Sequence, residues 1–173
     1  MTNTLTRPAI DAGTYRIEPA RTTVTFTMRE WYGRREVTGT FAVRDGTIVV
    51  AADPTGSSVQ VAMDPASFTT DKKRRDADIR SKRWLDVARY PDMEFRSGRV
   101  TTDAEGWKVV GMLTVHGVTA PVTLRMVDGG QTPEGCRFTA TCTINRLDFG
   151  VKTAPRFIGT ALEVRIETFA TRS

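Results

Sequence analysis

Apolar and polar residues alternate with a period of two through most of the chain. Val24, Phe26 and Met28 alternate with Thr23, Thr25 and Thr27, and Val37, Gly39, Phe41 and Val43 alternate with Glu36, Thr38, Thr40 and Arg44. Such alternation, punctuated by turn residues, predicts half-buried antiparallel strands. Asp45-Gly46 reads as a tight turn into a strand over 47–50, and Pro54-Thr55-Gly56 turns the chain into 58–63. Further strands are expected over 93–101, 107–128, 136–145 and 161–170, with turns at Glu105-Gly106, around His116, Gly117 and Pro121, and over 129–135. In the 107–128 hairpin, Val109, Gly111, Leu113 and Val115 share one face, and Val122, Leu124 and Met126 share one face of the second arm.

Residues 66–90 break the alternation. They hold charge clusters with scattered Ile79, Trp84, Leu85 and Val87, so a short helical insertion is expected there, capped by Asp71 and closed by Pro91. Eight or more short, evenly spaced strands with one such interruption predict an all-β, up-and-down antiparallel fold. Closure into a barrel would remove its exposed edges. The expected inward set mixes Phe26, Met28, Phe41, Met63 and Phe138 with the small Gly39, Gly111, Ala140 and Cys142. An eight-stranded barrel is either filled by side chains or holds one small ligand. A glycine at an inward strand position leaves space, and Gly39 and Gly111 therefore point to room for a ligand.

Composition narrows the class. With 173 residues, 39% hydrophobic and 26% charged, one domain over 13–171 is expected after a flexible tail over 1–12. No apolar run is long enough to span a bilayer. The first residues lack the apolar core of a secretory signal, so a cytoplasmic location is expected. Residues 71–83 contain seven basic and three acidic side chains, which is most of the formal net charge of +5. Cys136 and Cys142 fall six apart in one expected strand, roughly 20 Å at ~3.3 Å per residue and beyond disulfide reach. They read as small buried hydrophobes.

Four segments then bear a family resemblance. They are S-F-T-T-D-K-K-R-R-D-A-D-I-R-S-K-R-W-L-D at 67–86, Y-P-D-M-E-F-R-S at 90–97, G-M-L-T-V-H-G-V-T-A-P-V-T-L at 111–124, and I-N-R-L-D-F-G-V at 144–151. In this order they resemble the YceI-like, polyisoprenoid-binding family. Ser67, Arg75, Asp76, Tyr90, Pro91, Phe95, Ser97, His116, Gly117, Thr119, Pro121, Asn145, Arg146 and Gly150 match its pattern. Asp78 stands where the family commonly has a histidine, and Arg29-Glu30 stands where it commonly has a basic residue and a histidine. The resemblance implies an elongated eight-stranded antiparallel lipocalin-like barrel with a short helical insertion. It also implies a polyisoprenoid or isoprenoid quinone threaded through the interior, no other cofactor, and a homodimer.

The expected tunnel lining is Phe26, Met28, Gly39, Phe41, Val61, Met63, Phe95, Gly111, Leu113, Leu124, Met126, Phe138, Ala140 and Ile144. Arg75, Asp76, His116 and Arg146 are the polar candidates, for a head group or for scaffolding. A guanidinium can grip a diphosphate through paired N–H bonds, or Asp76 and Arg146 can form an ion pair tying the insertion to the barrel. His116 lies in a turn with no nucleophile motif beside it, which favours a structural role over hydrolysis. The basic run over 72–83 suits transient contact with an anionic membrane surface. Neither a stacking platform nor a helix-turn-helix accompanies it, so nucleic acid is not an expected partner. The expected function is binding, storage or carriage of a long apolar lipid, without catalysis and without a metal. A fatty acid or fatty amide carrier is the alternative. An enzyme acting on a prenyl diphosphate would need several carboxylates to hold Mg²⁺, whereas Asp76, Asp78 and Asp86 are interleaved with basic residues.

Overall fold

The structure is a computed structural model that describes residues 10–30, 34–156 and 158–173. Nine strands occur among the described residues: β1 (Gly13–Ile17), β2 (Thr23–Glu30), β3 (Arg35–Val50), β4 (Ser58–Thr69), β5 (Met93–Asp103), β6 (Gly106–Val115), β7 (Val118–Gln131), β8 (Gly135–Asn145) and β9 (Ala161–Arg172). Neighbours pair antiparallel from β2 round to β9, and β9 pairs back with β2, so the sheet closes. β1 is the extra strand. It pairs with the far halves of β3 and β9, collinear with β2, and a 3₁₀ turn at Pro19–Arg21 separates the two. β1 and β2 therefore share one stave of an eight-stave barrel. Period-two alternation sends one face of each stave inward, as the buried Val24, Phe26 and Met28 of β2 show.

The helix α1 (Lys73–Arg80) lies over one end, with Ile79 and Trp84 packed on Phe26, Phe68 and Val151. None of the described helices is long and apolar enough to cross a membrane.

Several expectations need correction. Asp45-Gly46 is not a turn: β3 runs straight through it, with a register shift against β4 between Val43 and Asp45. A side chain at Gly46 would meet Ile17 Cδ1 at 2.7 Å and Gln60 O at 2.9 Å, so this glycine serves a close approach of neighbouring staves. β4 continues to Thr69, so the insertion begins later than residue 66. Asp71 does not cap α1. Lys72 takes the N-cap position without a side-chain bond, and Asp71 instead accepts from Arg75 Nη1 at 3.1 Å. β7 extends to Gln131, which shortens the turn expected over 129–135.

The tail expected over 1–12 does not hold for residues 10–12. Ile10 is buried in the main core, Asp11 N donates to Gln131 Oε1 at 3.0 Å, and Arg172 Nη2 donates to Ala12 O at 2.7 Å. Residues 1–9 lie outside the described residues.

Candidate functional site

A cavity of about 310 Å³ runs through the barrel, lined almost wholly by apolar side chains. That places it near the lower end of the ~300–1,000 Å³ common for small-molecule sites. At the helix-bearing end its walls are Phe68, Ile79, Trp84, Leu85, Arg146, Phe149 and Val151. At the other end they include Ile10, Val50, Pro54, Ser57 and Trp107.

Twelve of the fourteen expected lining residues face this space: Phe26, Met28, Phe41, Val61, Met63, Phe95, Leu113, Leu124, Met126, Phe138, Ala140 and Ile144. Gly39 and Gly111 do not, and the reason corrects the expectation attached to them. A side chain at Gly39 would meet Phe26 Cζ at 2.5 Å and Thr69 O at 2.8 Å, and one at Gly111 would meet Arg96 O at 2.5 Å and Phe95 Cζ at 2.6 Å. Gly39 is the direct cross-strand partner of Phe26. The glycines make room for phenylalanines, not for a ligand. Phe26, Phe41 and Phe68 then form an aromatic triangle with ring centroids 5.0–5.4 Å apart.

The sequence reading missed Ile10, Trp84 and Trp107, which also line the cavity, and Thr22 and Thr168, two hydroxyls in its wall. Trp107 lies on β6, whose inward phase is set by Gly111 and Leu113, already among the expected lining, whereas no residue of β9, which carries Thr168, was among it. The placement of Ile10 and Trp84 depends on segments without periodicity.

The polar candidates are committed to the scaffold. Asp76 is buried; it accepts from Thr70 N at 2.9 Å and Thr70 Oγ1 at 2.6 Å, with a longer contact to Thr69 Oγ1. Burial pushes its pKa up, but the bonds from Thr70, helped by the Arg80 charge and Thr69, outweigh this and hold the carboxyl below its usual value. Arg75 reaches Asp71 and Thr70.

The expected Asp76–Arg146 ion pair does not form. Arg146 is buried against three backbone carbonyls: Nε donates to Gly159 O (2.9 Å), Nη1 to Val151 O (2.7 Å) and Nη2 to Ile158 O (3.0 Å). Its guanidinium carbon sits 4.9 Å from the Trp84 ring centroid, a favourable cation–π placement, while burial pulls its pKa down. Asp78, which stands where the resembled family commonly has a histidine, accepts from Trp84 Nε1 at 3.1 Å and so steadies the same ring.

The rest of that motif is local architecture. Asn145 Oδ1 accepts from Leu147 N, which caps the 3₁₀ turn Arg146–Phe149, and Gly150 closes it at φ +74°. His116 and Gly117 are the two central residues of the β6–β7 turn, at φ +55° and +71°. Two positive φ values in a two-residue hairpin loop match the strand twist. His116 Nδ1 lies 3.2 Å from Phe149 O, and its ring meets Tyr90 edge-on at 4.7 Å, so the imidazole pins the hairpin tip to that 3₁₀ turn. Among the described residues, no three His, Cys, Asp or Glu side chains are grouped to hold a metal ion.

Cys136 and Cys142 are both unpaired on β8, and Cys142 lines the cavity. Burial pushes each thiol up to about 11, well above the usual range of a free cysteine. Thiolate at neutral pH is thereby reduced on the order of 100-fold. Alkylation of the folded protein at pH 7.5, followed by intact mass, is expected to be slower than in denaturant by at least that factor. Equal rates in the two states would show that the thiols are not buried.

The YceI-like domain model matches residues 15–170. A UPF0312 protein from Pseudomonas syringae pv. tomato is 40% identical over 121 residues, 66% of this chain and 63% of the relative. One from Yersinia enterocolitica is 36% identical over 121 residues, with the same coverage of 66% and 63%. The match thus spans less than two thirds of these curated relatives. Among solved structures, Burkholderia cenocepacia BcnA superposes with a TM-score of 0.72 at 21% identity, covering 88% of this chain and 98% of its own. A polyisoprenoid binding domain from Saccharophagus degradans, implicated in plant cell wall breakdown, gives 0.69 at 16% identity, covering 94% and 100%. At these identities the two structures share the fold.

Proposed function

The chain belongs to the YceI-like family, and from that premise we propose that it binds a long apolar lipid chain in the barrel lumen and stores or carries it. The observation that carries this reading is the cavity itself, continuous from Trp84 at one end to Trp107 and Ile10 towards the other and apolar nearly throughout. At about 0.8 kcal/mol per buried CH₂, one five-carbon isoprene unit gains roughly 3 kcal/mol before ordering costs. A few units suffice for tight binding without any catalytic group. The Saccharophagus domain of the same fold is described as polyisoprenoid-binding, which makes a polyprenyl or quinone tail the first ligand to test. A fatty acyl chain would fit the same walls.

The helix-bearing end also presents exposed Lys72, Lys73, Arg74 and Lys82. Near anionic lipid each contributes on the order of 1 kcal/mol, which favours exchange of the cargo with a bilayer at that end.

Organic extraction of the purified protein with mass spectrometry is the direct test, and an apolar chain is expected in the extract. Adding that lipid back to stripped protein at a hundredfold excess over Kd is expected to raise unfolding stability by about 2.7 kcal/mol. A lipid-free extract together with an unmoved unfolding midpoint would mean that the lumen is simply an underfilled core.

A further inference from the structure

Thr22 sits where β1 gives way to β2, and its side chain lines the lumen. It is 9% exposed, and its Oγ1 has no hydrogen-bond partner. A buried hydroxyl left unpaired costs free energy unless something satisfies it. Thr23 pairs with Glu167 across the barrel wall. One residue further along this antiparallel register, Thr22 falls opposite Thr168, whose side chain also lines the cavity. Two hydroxyl-bearing residues thus fall opposite one another in a lining that is otherwise mostly apolar.

Besides Ser58, the other polar residues in the lining are Ser57 and Arg146, and the side chains of both are already bonded. Ser57 Oγ already accepts from Ala51 N at 3.0 Å. Arg146 is the one charged side chain lining the lumen among the described residues, and its guanidinium is spread over three carbonyls. A diphosphate drawn inside would therefore be a buried charge without a free cation beside it, which is strongly disfavoured. A neutral group with one hydrogen-bonding oxygen meets no such penalty.

We propose that Thr22, with Thr168 opposite, is a hydrogen-bonding station inside the barrel for a neutral oxygen of the bound lipid, and that the site selects an alcohol or carbonyl over a diphosphate. This rests on the reading that the lumen holds a lipid chain. A site built to pair a ligand oxygen rejects the analogue lacking it, because its own polar group is then stranded.

The test uses the full chain with a fluorescent apolar probe in the lumen. The competitors are a prenyl hydrocarbon, the prenyl alcohol and the prenyl diphosphate, all of one chain length. Wild-type protein is expected to bind the alcohol about tenfold more tightly than the hydrocarbon, a factor in keeping with one satisfied buried hydroxyl, and the diphosphate more weakly than the alcohol. In Thr22→Val the alcohol's advantage is expected to fall to about twofold or less, with hydrocarbon affinity unchanged or higher. Because the hydroxyl has no protein partner, Thr22→Val is also expected to melt at or above the wild-type temperature. An undiminished alcohol preference in the variant, a diphosphate that outcompetes the alcohol, or a variant that melts well below wild type would each overturn the station. If none of the three competitors displaces the probe from wild-type protein, the lipid-binding function falls with it.

Discussion

Gly111→Ala is expected to destabilise the barrel by about 1–3 kcal/mol, the range for overpacking a filled site. The added Cβ would lie 2.5 Å from Arg96 O and 2.6 Å from Phe95 Cζ. The first of these neighbours is backbone in the paired strand and cannot rotate away. Trimming the aromatic with Phe95→Leu is therefore expected to recover only part of the loss. Gly98→Ala is the comparison, since a side chain there meets nothing within 4 Å. It is expected to be neutral or to gain up to about 1 kcal/mol by narrowing the unfolded ensemble. Urea unfolding of the three variants decides the matter. If Gly111→Ala were as harmless as Gly98→Ala, the glycine would be facing open lumen after all.

The same two glycines mark the boundary of what the sequence discloses. Period two was enough to place Gly39 and Gly111 on the inward face, along with Phe26, Met28, Phe41, Leu113 and Leu124, because side-chain direction is a local property of a strand. What occupies the space over a glycine is set by which residue of the next strand stands opposite. Cross-strand register is tertiary, and no pattern within one strand reveals that Phe26 is the partner of Gly39. Asp45-Gly46 failed for a related reason. The dipeptide favours a tight turn locally, but β3 must be long enough to pair with β1 and β2 on one edge and β4 on the other, and the glycine is used for strand contact instead.

Ion pairs were less legible still. Asp76 and Arg146 have opposite charge and matching motifs, yet each found nearer backbone partners: Asp76 its own helix entry at Thr70, Arg146 the carbonyls of the chain that follows it. A local signal was present for the first, since a Thr-Thr-Asp run ahead of a helix supplies donors to a carboxylate in its first turn. Nothing in the sequence marked Thr22, whose significance is that it lacks a partner.

Arg146→Met is expected to be the costliest single substitution at the helix-bearing end, about 3 kcal/mol or more. Methionine keeps much of the length and apolar bulk but none of the donors, and it leaves the carbonyls of Val151, Ile158 and Gly159 without their guanidinium bonds. Each buried acceptor stranded in this way costs about 1–3 kcal/mol, with partial relief wherever water enters. Arg146→Lys is expected to lose nearly as much, since one ammonium cannot reproduce a planar fork that reaches three acceptors. The damage should begin locally. Val151 N donates to Arg146 O and Gly159 N to Arg29 O, so the loop that returns to β9 is fastened by the same residue that fastens Trp84. Hydrogen exchange is expected to show amides of Val151 and Gly159 losing protection first, while the β6–β7 ladder keeps its own. Trp84 emission should shift as its ring loses the overlying cation. A methionine variant within about 1 kcal/mol of wild type, with those amides still protected, would show that the three carbonyls do not need the guanidinium. Arg146 would then be held at the lumen wall for a different acceptor, and the charged end of a ligand would be the first to try.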